Sequence, residues 1–241
     1  GYVMSPPKAA IFDIFGTVVD WRSGIIAEAK RIFAQKGVNT DLGRFADAWR
    51  SEYAPSMAPI SSGERPYVKL ETLHMENLRR VLAAMVPDVA FSEDELETLN
   101  SAWTKLPPWQ DSVSGLRAMR SRMMIATCSN GSIALMTRLA RYGGLPWDCI
   151  LGAEIAQSYK PAPIVYHASC EALGLRPDEV VMVACHNSDL AAARKAGLRT
   201  GYIPRPEEHG PNGTHDDAQP SSDWDYIGVN LIDLGGRIAA G

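Results

Sequence analysis

This 241-residue chain has no excess of positive charge: 24 Lys and Arg stand against 28 Asp and Glu, for a formal net charge of −4. Binding that works by neutralising nucleic-acid phosphates needs the opposite balance, and no Lys/Arg cluster interrupts this one. Long hydrophobic runs are missing too. The stretch Val180 to Cys185 is representative and falls far short of the roughly 20 apolar residues that span a bilayer. Neither nucleic acid nor membrane is therefore expected as a partner. Cysteine is scarce: Cys128, Cys149, Cys170 and Cys185 form no C-x-x-C pair and no zinc-ligand spacing. Buried, reduced thiols in a cytoplasmic protein are the expectation. No secretory signal peptide opens the chain, and Gly1, Tyr2 and Val3 read as a cloning remnant ahead of a natural start at Met4. What is present is globular composition, 46% hydrophobic and 22% charged, enough to bury a core of one large domain or two smaller ones.

The first apolar run, Ala9-Ala10-Ile11-Phe12 within Lys8 to Phe15, reads as a buried strand closed by a turn at Gly16. From Arg22 the period becomes helical. Ile25, Ile26, Ala29, Ile32 and Phe33 share one face, with Gly37 as a stop. Val68, Leu70, Leu73, Leu78, Val81, Leu82 and Met85 mark another helix. Ser92 and Glu95 form a capping-box signal ahead of Leu96, Leu99, Trp103 and Leu106. After Pro107 strands and helices alternate. The strand candidates are Met123–Cys128, Cys149–Gly152, Val180–Cys185 and Thr200–Pro204. Helices are expected over Ser132–Tyr142, Pro163–Leu173 and Asp189–Ala196. Such alternation predicts a doubly wound parallel sheet covered by helices. The first strand has no nearby partner, so the sheet is expected to combine the two ends of the chain. The expected division is an α/β, Rossmann-like core from 4–20 and 107–241, with an all-helical insertion at 21–106. The Pro-, Gly-, Asn- and Asp-rich stretch 204–225 reads as a long surface loop.

Ligands of open parallel sheets bind at the carboxyl ends of the strands. Four such ends carry polar residues here: Asp13 with Thr17, Ser129 with Asn130, Lys160, and His186-Asn187-Ser188-Asp189. Two carboxylates, an ammonium and hydroxyl and amide groups would thus converge.

These segments resemble the four motifs of the haloacid dehalogenase superfamily. The pieces are Asp13-Ile14-Phe15-Gly16-Thr17, Ser129-Asn130-Gly131, Lys160-Pro161 and the loop holding Asp189. Longer pieces are similar to its 2-haloacid dehalogenase (type II) branch: Phe12 to Ser23, Trp49-Arg50-Ser51-Glu52-Tyr53, Tyr159 to Tyr166, and Ala184 to Leu190. The resemblance implies a helical cap over the core and hydrolysis of short 2-haloacids. Asp13 would be the nucleophile, Lys160 its counter-ion and Asp189 the group that orients Lys160 or the water. Thr17 and Ser129 would hydrogen-bond the Asp13 or substrate carboxylate. Arg50, on the insertion, would receive the halide beside Asn130, with Tyr166 also in the site. No metal, no organic cofactor and a homodimer are implied as well.

Phosphatases of the superfamily carry a second Asp two residues after the nucleophile; this chain has Phe15 there, and a phenyl ring cannot protonate a leaving alcohol. Near Asp189 the neighbours are Asn187 and Ser188 rather than a second carboxylate, whereas magnesium prefers carboxylate oxygens. Both departures favour a haloacid over a phosphate ester. A magnesium-dependent phosphatase or phosphonatase, and a non-catalytic relative kept for binding, are the alternatives. His186, in a position where many relatives carry an amide, is expected either to donate to a small halide such as fluoride or to be structural. Asn187, Phe15 and Trp21 complete the expected substrate contacts.

Overall fold

A computed structural model describes residues 4–213 and 216–241. The expected remnant, residues 1–3, and His215, for which sequence suggests no ligand role, lie outside them. Among the described residues the chain forms a six-stranded, all-parallel sheet in the order β3-β2-β1-β4-β5-β6. The strands are β1 (Ala9–Phe12), β2 (Met124–Ser129), β3 (Cys149–Gly152), β4 (Val180–Ala184), β5 (Arg199–Tyr202) and β6 (Tyr226–Ile227).

The unbroken apolar run of β1 follows from its central place. Ala10 and Phe12 pack into one hydrophobic cluster and Ala9 and Ile11 into another on the opposite face. β4 divides its residues in the same way. With both faces covered, the alternation that marks a half-exposed strand disappears.

Five helices fill the segment 21–106 after β1: α1 (Trp21–Gln35), α2 (Leu42–Ser51), α3 (Tyr53–Ser61), α4 (Leu70–Met85) and α5 (Glu93–Asn100). They pack on one another around Phe33, Phe45, Trp49, Leu73 and Leu99. The capping box at Ser92 is formed from both sides. The helix expected to run on through Leu106 instead tightens into a 3₁₀ turn at Ser101–Thr104. There the Ser101 and Thr104 hydroxyls bond backbone carbonyls three residues back, a local alternative to the helical ladder.

After β2 come α7 (Ile133–Gly143), α8 (Ala153–Ala156), α9 (Pro163–Ala172) and α10 (Asn187–Lys195); α6 (Ser112–Arg120) precedes β2, and α11 (Leu231–Ala240) ends the chain. α6, α7 and α11 cover one sheet face, α9 and α10 the other. The expected elements of this half all form, within a few residues of their limits. The two-residue β6 is too short for a pattern, and α11 joins it at the sheet's far edge. Of the four cysteines, all free, three are buried and Cys149, near the sheet edge, is only half-buried.

The stretch 204–225 departs from expectation. Arg205 and Glu208 are buried. Arg205 forms a two-pronged ion pair with Asp111, at 2.7 and 3.0 Å, while Glu208 enters the carboxyl end of the sheet. Two charged groups can be buried because each has a charged partner inside.

Candidate active site

β1 is the switch point of the sheet: its neighbours β2 and β4 leave towards opposite edges. Asp13 follows its last residue, at the crevice where open sheets bind ligands. Its carboxylate is almost buried and fully occupied. Thr17 Oγ1 donates to Oδ2 at 2.8 Å and in turn accepts the Cys185 N–H at 3.0 Å. Lys160 Nζ donates to Oδ1 at 3.2 Å, and His186 Nδ1 lies 2.8 Å from Oδ2. Burial alone would raise the Asp13 pKa, but the charges of Lys160 and His186 outweigh it and hold the carboxyl far below its ordinary value. A buried carboxylate kept ionised is a nucleophile that needs no base.

Lys160 Nζ also donates to Asp189 Oδ2 at 2.7 Å, so the ammonium bridges the two carboxylates. Desolvation would lower its pKa; Asp189 and Asp13 raise it well above the ordinary lysine value. Tyr166 OH donates to Asp189 Oδ1 at 2.5 Å. Burial raises the Asp189 pKa despite Lys160, so this carboxylate is the more basic of the two. Asn130 Oδ1 accepts the Lys160 backbone N–H at 2.8 Å and fixes the loop that carries the ammonium.

These groups line a cavity of about 310 Å³ with Phe15, Tyr53, Ala54, Met57, Pro161 and Arg50. Arg50 comes from α2, its guanidinium 3.9 Å from the Tyr53 ring centre and 5.6 Å from that of Trp21. Its Nη1 is buried without a hydrogen-bond partner among the described residues. A desolvated, permanently charged donor facing a small cavity is suited to an anion. Arg44, the other arginine of the same helix, is exposed.

Several expected contacts differ. Ser129 Oγ does not reach Asp13: it accepts the Gly131 N–H at 2.9 Å and shapes the turn. Asn187 is outside the cavity lining. Its side chain donates to Asp217 and the Gln219 carbonyl and accepts from Ser221 N and Trp224 Nε1. Every valence is used to pin 217–224, so none is left for substrate. Trp21 also stands behind the cavity, donating its Nε1–H to Glu208 Oε2 at 3.1 Å. His186, expected either to offer an N–H to a halide or to be structural, has both nitrogens facing carboxylates, Nδ1 towards Asp13 and Nε2 2.8 and 2.9 Å from the oxygens of Glu208.

Glu208 was not foreseen. In a Pro/Gly-rich stretch a glutamate reads as solvated, and only the fold brings it to residues 22 and 187 positions away. The one trace of it is Gly16, at φ +93°: a Cβ there would stand 1.9 Å from Glu208 Oε2. Cys185, His186 and Glu208 hold potential ligand atoms within 4.8 Å of one another. The 2.8 Å separation of Nε2 and Oε2 is that of a hydrogen bond.

A family model described as haloacid dehalogenase-like hydrolase matches residues 7–197. Among solved structures, a defluorinating L-2-haloacid dehalogenase is 42% identical, covers 96% of this chain and 95% of its own, and superposes with a TM-score of 0.93. Another L-2-haloacid dehalogenase is 39% identical over 98% of this chain and all of its own, with a TM-score of 0.92. (S)-2-haloacid dehalogenase 4A of Burkholderia cepacia is 24% identical over 216 residues, 82% of this chain and 83% of the relative.

Proposed function

The chain belongs to the haloacid dehalogenase-like hydrolases, and we propose that within that family it hydrolyses short 2-haloalkanoic acids to 2-hydroxy acids through an ester on Asp13. One observation carries this reading: an ionised, almost buried carboxylate lines the same small cavity as a guanidinium with an unpartnered N–H. Asp13 would form a bond to C2 as the carbon–halogen bond breaks, inverting that carbon, and the halide would leave with the bonding pair towards Arg50. Water would then add to the Asp13 carboxyl carbon and give up a proton to Asp189, whose proton affinity burial raises. Collapse releases the 2-hydroxy acid, whose hydroxyl takes that proton back from Asp189, and leaves Asp13 as the carboxylic acid; the second proton of the water is then lost to solvent, which restores the carboxylate. Lys160 keeps the free Asp13 carboxyl ionised for attack, Thr17 and Asn130 hold the two loops in register, and Tyr166 orients Asp189.

The helical segment 21–106 acts in this reading as a cap on a core of 4–20 and 107–241, carrying Arg50 over the nucleophile and excluding bulk water. L-2-haloacids and haloacetates fit a cavity of this size, and likeness to a defluorinating enzyme extends the reading to fluoroacetate. A homodimer, implied by the resemblance, and a cytoplasmic location, expected from the unpaired cysteines, belong to the same reading. Against a magnesium-dependent phosphatase stand Phe15, where a general acid is needed, and Asn187 and Ser188 beside Asp189, where a second carboxylate would help to hold the metal.

The test is halide release from chloroacetate and fluoroacetate in the presence of EDTA. Release by the wild type and none by Asp13→Asn supports the reading. No release from either acid, with turnover of phosphate esters on adding magnesium, overturns it.

A further inference from the structure

The carboxylate of Glu208 lies across His186 from the nucleophile. The imidazole is thus clamped, with Nδ1 2.8 Å from Asp13 Oδ2 and Nε2 within 2.9 Å of both Glu208 oxygens. Ionised carboxylates only accept hydrogen bonds, so a ring bonded to two of them carries a proton on each nitrogen. The surroundings are built around this second carboxylate. Glu208 is 1% exposed, Trp21 Nε1–H holds its Oε2, and Gly16 leaves out the Cβ that would collide with it. Among the described residues no lysine or arginine hydrogen-bonds this buried carboxylate, so it depends on the charge of His186.

Resting on the dehalogenase reading above, we propose that Glu208 is a positioning residue that keeps His186 doubly protonated and aims its Nδ1–H at Asp13 Oδ2 for the hydrolytic half of the reaction. The division of labour on Asp13 follows. Oδ1, on the Lys160 side, forms the bond to C2, and Oδ2 becomes the carbonyl oxygen of the ester. When water adds to the carboxyl carbon, the carbonyl electron pair moves onto Oδ2, where the His186 N–H stabilises it without transferring a proton. The pair returns as the bond from the carboxyl carbon to Oδ1 breaks. The departing alkoxide takes the proton that the attacking water gave to Asp189; the oxygen of that water stays in Asp13, and its remaining proton is lost to solvent as the carboxylate is restored. A positioned, water-excluded donor at a developing oxyanion has its main effect on this step. In the first step the same bond draws charge from the nucleophile, so its benefit is confined to the second.

Asp13, Glu208 and the Cys185 thiol face the ring directly. Lys160 sits on Asp13, Arg50 acts on Glu208, and His209 Nε2 is 3.7 Å from Glu208 Oε1. Burial opposes the charged imidazole, but the carboxylates of Glu208 and Asp13 raise its pKa well above that of free histidine. The Cys185 thiol itself, pushed up to about 11 by burial, stays neutral at ordinary pH.

The experiment compares wild type and Glu208→Gln on chloroacetate, with acid-quenched mass analysis of the peptide holding Asp13, from about pH 6 to about pH 9. The variant is expected to alkylate Asp13 at close to the wild-type rate. It should clear the ester about tenfold to a hundredfold more slowly, so a carboxymethyl adduct accumulates on Asp13, and the defect should grow as pH rises. A defect in alkylation alone, or one of equal size at every pH, overturns the proposal. Nitrogen NMR of labelled histidine in the wild type does not depend on the variant folding: both His186 nitrogens should carry protons at about pH 8, and a neutral ring there overturns it too. A wild type that releases no halide while its His186 is doubly protonated refutes the dehalogenase reading instead.

Discussion

The two walls of the cavity are built on opposite plans. The sheet-side wall is saturated: each oxygen of Asp13 and Asp189 has a donor, and Lys160 and His186 each touch two carboxylates. The helical wall is aromatic, with Tyr53 and Trp103 meeting Phe15 of the core edge-on, and its cation, Arg50, keeps an N–H unsatisfied among the described residues. A saturated wall holds charges in place before substrate arrives, and an unsatisfied one gains its partner only when an anion enters. The difference teaches which residues serve folding and chemistry together and which serve binding alone.

Removing the bridge of the saturated wall should have the largest effect. Lys160→Ala leaves two buried carboxylates facing each other, and breaking such a network costs about 3–5 kcal/mol. Thermal unfolding should show that loss along with abolished halide release; unchanged stability would mean that the wall is not preorganised. On the other side, Arg50→Ala should lower kcat/KM about a hundredfold to a thousandfold while stability holds or rises, since a cation with a buried, unpartnered N–H is removed. A large stability loss there would erase the contrast between the walls.

Acid tolerance sharpens the comparison further. Despite burial, His186, Arg50 and Trp21 hold the Glu208 carboxyl down at about 2. Its ionisation therefore stabilises the fold above the ordinary glutamate range of about 4.5, and that contribution disappears as pH falls towards 2. Glu208→Gln should flatten the stability profile across this window, and acid titration of both proteins checks it. For His186 the sign is reversed: its raised pKa adds stability present below the free-histidine value and lost as pH rises through the folded one. The smallest expected effect is that of Asn187→Ala. It should cost about 1–3 kcal/mol by orphaning its partners yet leave KM unchanged, because this side chain faces the 217–224 stretch.

How much of this was legible in sequence depended on distance along the chain. Asp13 and Asp189 could be placed because each sits at or near the end of an apolar run whose length marks a buried strand. Lys160 was legible from its Lys-Pro position in a loop at a strand end. Arg50 could be singled out only by resemblance, since nothing in α2 separates it from Arg44 until the fold shows one inward and the other exposed. Asn187 was misjudged: its neighbours share the catalytic loop, but its partners lie about thirty residues downstream. Glu208 was illegible for the same reason, because the Pro/Gly-rich composition that signals a surface loop carries no record of where one turn of it folds inward.

The most direct test of Asp13 as nucleophile is a single turnover, with enzyme in excess over chloroacetate, in water labelled with heavy oxygen. The label should appear in the Asp13 carboxylate and not in the glycolate, whose hydroxyl oxygen comes from Asp13 itself. Label in the glycolate after that first turnover would mean that water attacks C2 directly, and would contradict the account.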